Sequence, residues 1–239
     1  MSYFESRMRV NFKNFNDIKQ KLVCCENLGI SNIILEPLDF SQEISTKLIK
    51  EIEKQFNLTI FYRHNLKMNH IKEFKKKLKF YNRTNHIISV ESSNKEIQIH
   101  AARDSRVDIL SFSDPVIIKS LTQGITSLVK QNNSFIEFSL APIMVQNFSM
   151  QSKNLRNLYR FIHLVRSLKA EYIISGNFDN VFDYRHPRNL ISVCHTLLDI
   201  PIDEAKKLFK VNPIKLIKRA KKRMNTEFLR EGIKLVKSD

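Results

Sequence analysis

Two short runs, Phe135-Ile136-Glu137-Phe138-Ser139-Leu140 and Tyr172-Ile173-Ile174-Ser175, are rich in β-branched and aromatic residues. Between them Leu155, Leu158, Tyr159, Ile162, Val165 and Leu168 recur at helical spacing. The unit reads strand, helix, strand. One step upstream, Val107–Phe112 is another such run, and Val116 to Val129 is the helical pattern that follows it. Working outward, predicted strands lie at Arg7–Phe12, Ser31–Leu35, Leu58–Tyr62, His86–Val90 and Ile97–His100, about eight in all. After Ser41, a good N-cap, the residues Ile44, Leu48, Ile49, Ile52 and Phe56 form one apolar helix face. Ile33-Ile34-Leu35 and Tyr172-Ile173-Ile174 are continuous apolar runs. Strands buried on both faces have that composition, and such strands belong to parallel sheets with helices outside.

The fold class is therefore α/β, and both a closed (β/α) barrel and an open doubly wound sheet accommodate the pattern. With four Gly in the chain there is no G-x-G-x-x-G and no G-x-x-x-x-G-K-[ST]. That disfavours the dinucleotide-binding version of the open sheet. From Asn189 onward the pattern reads as helices only. Asp203 is placed to cap a helix running through Phe209, and Asn212-Pro213 is a cap with Pro at the first helical position. The expected organisation is a single domain over 1–239. The alternating part covers about 1–188, and closing helices with a basic tail cover about 189–239.

The chain has 239 residues, 42% of them hydrophobic, with seventeen Phe. That supports a real core and argues against disorder throughout. No apolar run approaches the roughly 18 residues of a membrane span. Met1-Ser2-Tyr3-Phe4-Glu5 lacks the regions of a signal peptide. Cys24, Cys25 and Cys194 are too few and badly spaced for a disulfide framework or zinc. The expectation is a soluble cytoplasmic protein with no membrane partner.

Forty Lys and Arg against twenty-four Asp and Glu leave a net charge of +16. The excess is clustered. Lys67 to Arg83 holds seven basic residues and one acidic, Ser152 to Ala170 five and none, and Lys206 to Lys237 twelve and two. Clustering of this kind is the footprint of a polyanion binder, against the plainer reading of a lysine-rich solvated surface.

Catalytic constellations are weak. Seven His are scattered without H-x-H or H-x-x-x-H, and the nearest candidate metal set is His64, His100 and Asp114, each near a predicted strand end. Ser175-Gly176 lacks the pattern of a nucleophile elbow. Basic constellations are stronger. Arg156, Arg160 and His163 fall at i, i+4 and i+7, a polar stripe opposite the apolar one. Arginine suits phosphate through bidentate hydrogen bonds; a solvated face is the competing reading for each residue. Arg103 and Arg106 stand just before a strand and read equally as RNA contacts or as internal partners of Asp104 and Asp108. Arg185 and Arg188 lie in Tyr184-Arg185-His186-Pro187-Arg188, a basic loop with an aromatic flank. Lys218 and Lys222 sit on the last helix beside Lys215, Arg219, Lys221 and Arg223.

In order along the chain, several segments resemble ribonuclease P protein component 3, the archaeal homologue of the eukaryotic thirty-kilodalton subunit. They are Arg106-Val107-Asp108-Ile109-Leu110-Ser111-Phe112, Phe135–Leu140 and Tyr172-Ile173-Ile174-Ser175-Gly176. Arg185-His186-Pro187-Arg188-Asn189-Leu190 follows, with Asn189 where the family carries Asp, then Ile202-Asp203-Glu204-Ala205-Lys206, Asn212-Pro213 and Ile217. The resemblance covers about residues 100–220, and 30–65 more loosely. The family's Asp-Leu-His-like opening strand is absent here. The resemblance implies a TIM-like (β/α) barrel with extra C-terminal helices, related to phosphoesterase-type barrels but without their metal chemistry. It implies a non-catalytic subunit that assists an RNA enzyme in removing the 5′ leader of precursor tRNA. The implied partners are the ribonuclease P RNA, protein component 2 and other protein subunits, with precursor tRNA met indirectly. Mg²⁺ is then expected on the RNA and no cofactor on this chain. A metal-dependent phosphoesterase on the same barrel is the alternative.

Overall fold

In a computed structural model the described residues are 2–39, 46–81, 84–223, 228–230 and 233–234. Seven strands lie side by side in chain order, all parallel: β1 (Tyr3–Val10), β2 (Ile30–Pro37), β3 (Thr59–Lys67), β4 (Ile87–Glu91), β5 (Ile109–Ser111), β6 (Phe135–Ser139) and β7 (Tyr172–Ser175). Helices α1 (Phe15–Asn27), α2 (Thr46–Gln55), α3 (Ile71–Phe80), α4 (Lys95–Arg103), α5 (Gln123–Gln131) and α6 (Phe148–Ser167) connect them. The sheet curls into a nearly closed TIM-like barrel. Three further helices follow: α7 (Pro187–Thr196), α8 (Ile202–Leu208) and α9 (Asn212–Lys222).

Strand alternation builds two cores. Ile88, Val90, Leu110, Ile136, Phe138 and Ile174 point outward and pack with the helices. Their neighbours Ile34, Ile87, Ile109, Phe135 and Ile173 point inward with Phe4 and form an apolar layer at the N-terminal end of the barrel. Leu216, Ile217 and Ala220 of α9 pack onto that layer and plug the end. The plug is fastened by charge. Arg223, just past α9, donates to the buried Asp108 carboxylate at 2.6 Å and to the carbonyls of Arg106 and His86, each at 2.6 Å. Asp108 also accepts the Ile88 N–H at 2.9 Å.

Among the described residues no backbone ladder joins β7 to β1. The seam is bridged by a side chain instead. Glu5 Oε1 accepts the N–H of Gly176 and that of Arg7, both at 3.1 Å. Gly176 is needed there. A Cβ on it would stand 2.6 Å from the Phe178 ring and 2.7 Å from Glu5 Oε2, closer than real atoms approach.

Several expectations about elements are corrected. Ile97–His100 is not a strand but the middle of α4. Asn94 caps that helix through the Glu96 N–H, and Ile97, Gln98, Ala101 and Ala102 bury one helical face. Val116 to Val129 is broken by extended backbone at Leu121 and Thr122, and Thr122 then caps α5. The helix expected to be capped by Asp203 starts behind Pro201, with Asp203 in its first turn, and Asn212 lies inside α9 with Val211 before it. The C-terminal part is not helical throughout: β8 (Phe228–Arg230) and β9 (Ile233–Lys234) pair antiparallel. Ser41 and Ile44 fall outside the described residues.

Candidate functional site

In (β/α) barrels chemistry belongs at the C-terminal ends of the strands. Here the inward positions above the apolar layer are Arg7, Glu36, Arg63, Asn65, Ser89, Glu91, Ser111 and Glu137, all buried. Most of their polar atoms pair with one another, while Arg7 Nε has no hydrogen-bond partner among the described residues. Arg63 grips Glu137 with two donors, at 2.7 and 2.6 Å, and donates through Nε to Ser89 at 2.8 Å. Arg7 donates to Glu36 at 2.8 Å, to Glu91 at 2.9 Å and to Ser111 at 3.1 Å, and also meets Ser113. Asn65 donates to Glu91 at 2.7 Å and accepts from Ser89 at 2.8 Å. An opening of about 30 Å³ beside Glu36, Asn65 and Lys67 has room for about one or two waters.

The charges follow from that packing. Burial opposes the charged form of Glu91, but Arg7 and Lys67 outweigh it and hold the carboxyl at about 2. Burial opposes the Glu137 carboxylate too, and Arg63 with Arg7 brings its pKa below the usual range. Desolvation of Arg7 is likewise overcome by Glu36, Glu137 and Glu91, so its guanidinium is held more firmly protonated. Glu5 differs. Burial pushes it up to about 7, only partly offset by the N–H groups of Arg7 and Gly176. Two arginines thus face three glutamates inside the mouth, with Lys67 at its rim 3.5 Å from Glu91.

The basic residues singled out from sequence lie elsewhere. Arg103 is exposed at the end of α4, and Arg106 pairs with Asp104 at 2.6 Å. Arg185 donates to the carbonyls of Phe182 and Tyr184, and Arg188 is exposed. Their loop lies at the N-terminal end of the barrel, because the His186 ring meets that of Tyr3 at 6.2 Å. Lys218 and Lys222 point outward from α9. Arg103, Arg106, Arg185, Arg188, Lys218 and Lys222 therefore surround one end of the barrel. Arg156 and Arg160 stay apart, exposed along the outer side of α6. His163 leaves their stripe: its ring binds the Leu198 carbonyl at 3.1 Å and packs on Tyr159.

A family model for the RNase P subunit p30 matches residues 7–225. The chain belongs to the RNase P subunit p30 family. A chain of an archaeal ribonuclease P structure with mature tRNA is similar to it, with 17% identity, 99% of each chain covered and a TM-score of 0.76. A prolidase complexed with N-methylphosphonate-L-proline is similar at 8% identity, covering 98% of this chain and 77% of its own, with a TM-score of 0.61. At these identities the likeness concerns the fold.

In this p30-family barrel the candidate metal set is not assembled. His64 points out of the barrel, 2.9 Å from His86, and burial followed by the His86 charge lowers its pKa to about 4. His100 is exposed on α4, and Asp114 accepts the Val116 and Ile117 N–H groups. Among the described residues no group of three or more His, Cys, Asp or Glu could hold a metal ion. The residues that sequence reading passed over are Arg7, Glu36, Arg63, Glu91 and Glu137. A signal existed: Arg63-x-Asn65, Ser89-x-Glu91 and Glu137-x-Ser139 put polar residues at the alternate positions of otherwise apolar strands.

Proposed function

We propose that this chain works as a non-catalytic protein subunit of ribonuclease P, assisting a catalytic RNA in removing the 5′ leader of precursor tRNA. The observation that carries the reading is the family match over residues 7–225. Two features support it. The barrel mouth is occupied by Arg7, Arg63 and their carboxylate partners, and exposed basic residues lie outside it. A folded RNA crowds phosphates, and basic side chains relieve the repulsion by releasing counterions without reading sequence. On this reading Arg103, Arg156, Arg160, Arg185, Arg188, Lys218 and Lys222 face RNA, Arg106 contributes around its pair with Asp104, and Mg²⁺ belongs to the RNA. Ribonuclease P protein component 2 is the expected protein partner, other protein subunits join the same assembly, and the cytoplasm is the expected compartment. No helix among the described residues is long and apolar enough to cross a membrane.

The test is reconstitution. Precursor tRNA cleavage by the ribonuclease P RNA, at limiting Mg²⁺ and with the remaining protein subunits, should fall when this chain is left out and return when it is added. The chain alone should cleave nothing. Cleavage by RNA-free protein that is lost on changing His64 would favour the phosphoesterase alternative. Co-purification with component 2 in the absence of RNA tests the pairing.

A further inference from the structure

We infer that RNA docks on the N-terminal end of the barrel, the end plugged by α9, and not on the mouth where barrel enzymes bind their substrates. The inference rests on the RNA-subunit reading above and specifies its surface. The first argument is convergence. Lys218 and Lys222 project from the outer side of α9, whose inner side is spent on Leu216, Ile217 and Ala220. Lys169 follows α6 at the same end, Lys207 ends α8, and Arg103 ends α4. These residues are far apart in sequence, and closure of the barrel brings them to one face.

The second argument concerns partners. Three acidic residues near this end are engaged, and Glu53 shares a cleft with Lys221. Asp108 is bound by Arg223, Glu204 by Arg166 at 3.0 Å, and Glu171 by Lys215 at 2.6 Å. Among the described residues Lys169, Lys207, Lys218 and Lys222 have no acidic partner. A cleft of about 360 Å³ lies there, lined by Arg166, Lys169, Glu171, Glu204, Lys207 and Lys215. Phosphate oxygens entering it would meet ammonium groups not already neutralised.

The third argument sets the two ends against each other. The N-termini of α1 to α6 point toward the mouth, and each carries about half a positive charge that favours anions. That effect is local and screened, while full charges decide the field beyond it. At the mouth the full charges are Arg7, Arg63 and, at the rim, Lys67, matched by Glu36, Glu91 and Glu137, so the interior offers phosphate no net positive charge. At the plugged end they are unneutralised lysines.

The experiment compares two charge-matched triple variants. One is Lys207→Glu, Lys218→Glu and Lys222→Glu at the plugged end. The other is Lys72→Glu, Lys75→Glu and Lys76→Glu on the exposed side of α3, the other lysine-rich surface. Each is titrated against a labelled transcript of the ribonuclease P RNA from about 50 to 200 mM salt, with thermal melts to show that both fold. The plugged-end variant should bind at least about tenfold more weakly, and the slope of log affinity against log salt should shrink by roughly 2 to 3. The α3 variant should stay within about threefold of the unmodified chain. Equal losses, or a loss confined to α3, overturn the inference. If the plugged-end variant does not fold, the same three positions changed to Gln provide the comparison. If the unmodified chain itself does not bind the RNA, the reading of the protein as an RNA subunit fails instead.

Discussion

Glu5 shows how one residue's surroundings become a property of the fold. Its carboxyl is buried at the β7–β1 seam and titrates at about 7, against 4.5 in an unfolded chain. The folded state therefore holds this proton more tightly. The stability it contributes is complete below about pH 4.5, falls as pH rises toward 7 and is flat above. At about 1.4 kcal/mol per pH unit the change is on the order of 3 kcal/mol. Glu5→Gln keeps an oxygen for the Arg7 and Gly176 N–H groups and removes the titration. The variant should lose less stability than the unmodified chain between pH 5 and 8 in urea unfolding; identical pH profiles would mean Glu5 is ionised without cost. Arg63 is the opposite case, a buried cation with every direction used. Arg63→Met should cost about 3–5 kcal/mol, because the only cation left to Glu137 is Arg7 at the longer 3.5 Å, beside the Ser111 hydroxyl. Pairing it with Glu137→Leu should restore a large part, and a double-mutant cycle from urea midpoints reads the coupling. Gly176→Ala should cost about 1–3 kcal/mol through overpacking against Phe178, measured the same way.

At the scale of elements, helix and strand positions followed from periodicity in most long runs, and the Val116 to Val129 run, split at Leu121 and Thr122, is an exception. The strands β6 and β7 were legible as short β-branched and aromatic runs buried at every position, and the helix α6 because its buried positions repeat at three to four residues. Ile97–His100 misled because Ile97 and Ile99 alternate, and four residues cannot separate the two periods. Only the Asn94 cap and the distant Ala101 and Ala102 make it a helix. The helix α9 was legible as a basic helix, but its task was not. Arg223 ties it to the starts of two strands, β4 and β5, through Asp108 and the carbonyls of Arg106 and His86. Arg223→Met should cost about 2–4 kcal/mol, since Asp108 loses its closest cation. Amide exchange in α9 should speed up before the barrel strands change. Unchanged protection in α9 would show that Leu216 and Ile217 suffice to hold it.

For the whole molecule the charges separate into two populations. The glutamate–arginine network is inside and shielded from salt, while most of the +16 excess is outside and self-repelling. Raising salt from about 0.05 to 0.5 M should therefore raise the melting temperature of the RNA-free chain, because screening relieves surface repulsion more than it weakens buried pairs. The triple Glu variant at the plugged end should show a smaller rise. A fall in melting temperature with salt in the unmodified chain would mean that exposed ion pairs carry its stability.

By itself the sequence determined the class of the molecule. Alternation of strand and helix, apolar runs such as Tyr172-Ile173-Ile174 and the clustered basic charge are local patterns, and local patterns are written in nearest neighbours. The order of motifs from Val107 to Ile217 carried the family resemblance in the same way. What tertiary structure alone decided is which charges are inside. Arg7 and Arg156 look alike in the chain, yet Arg7 is buried among carboxylates from β2, β4 and β6, and Arg156 is exposed on α6. The partners of Arg7 lie 29, 84 and 130 residues away. Only closure of the barrel brings them within hydrogen-bond reach, and the same closure gathers the lysines of α8 and α9 at one end. A charge's role depends on what lies across space from it, and that distance is set by the fold.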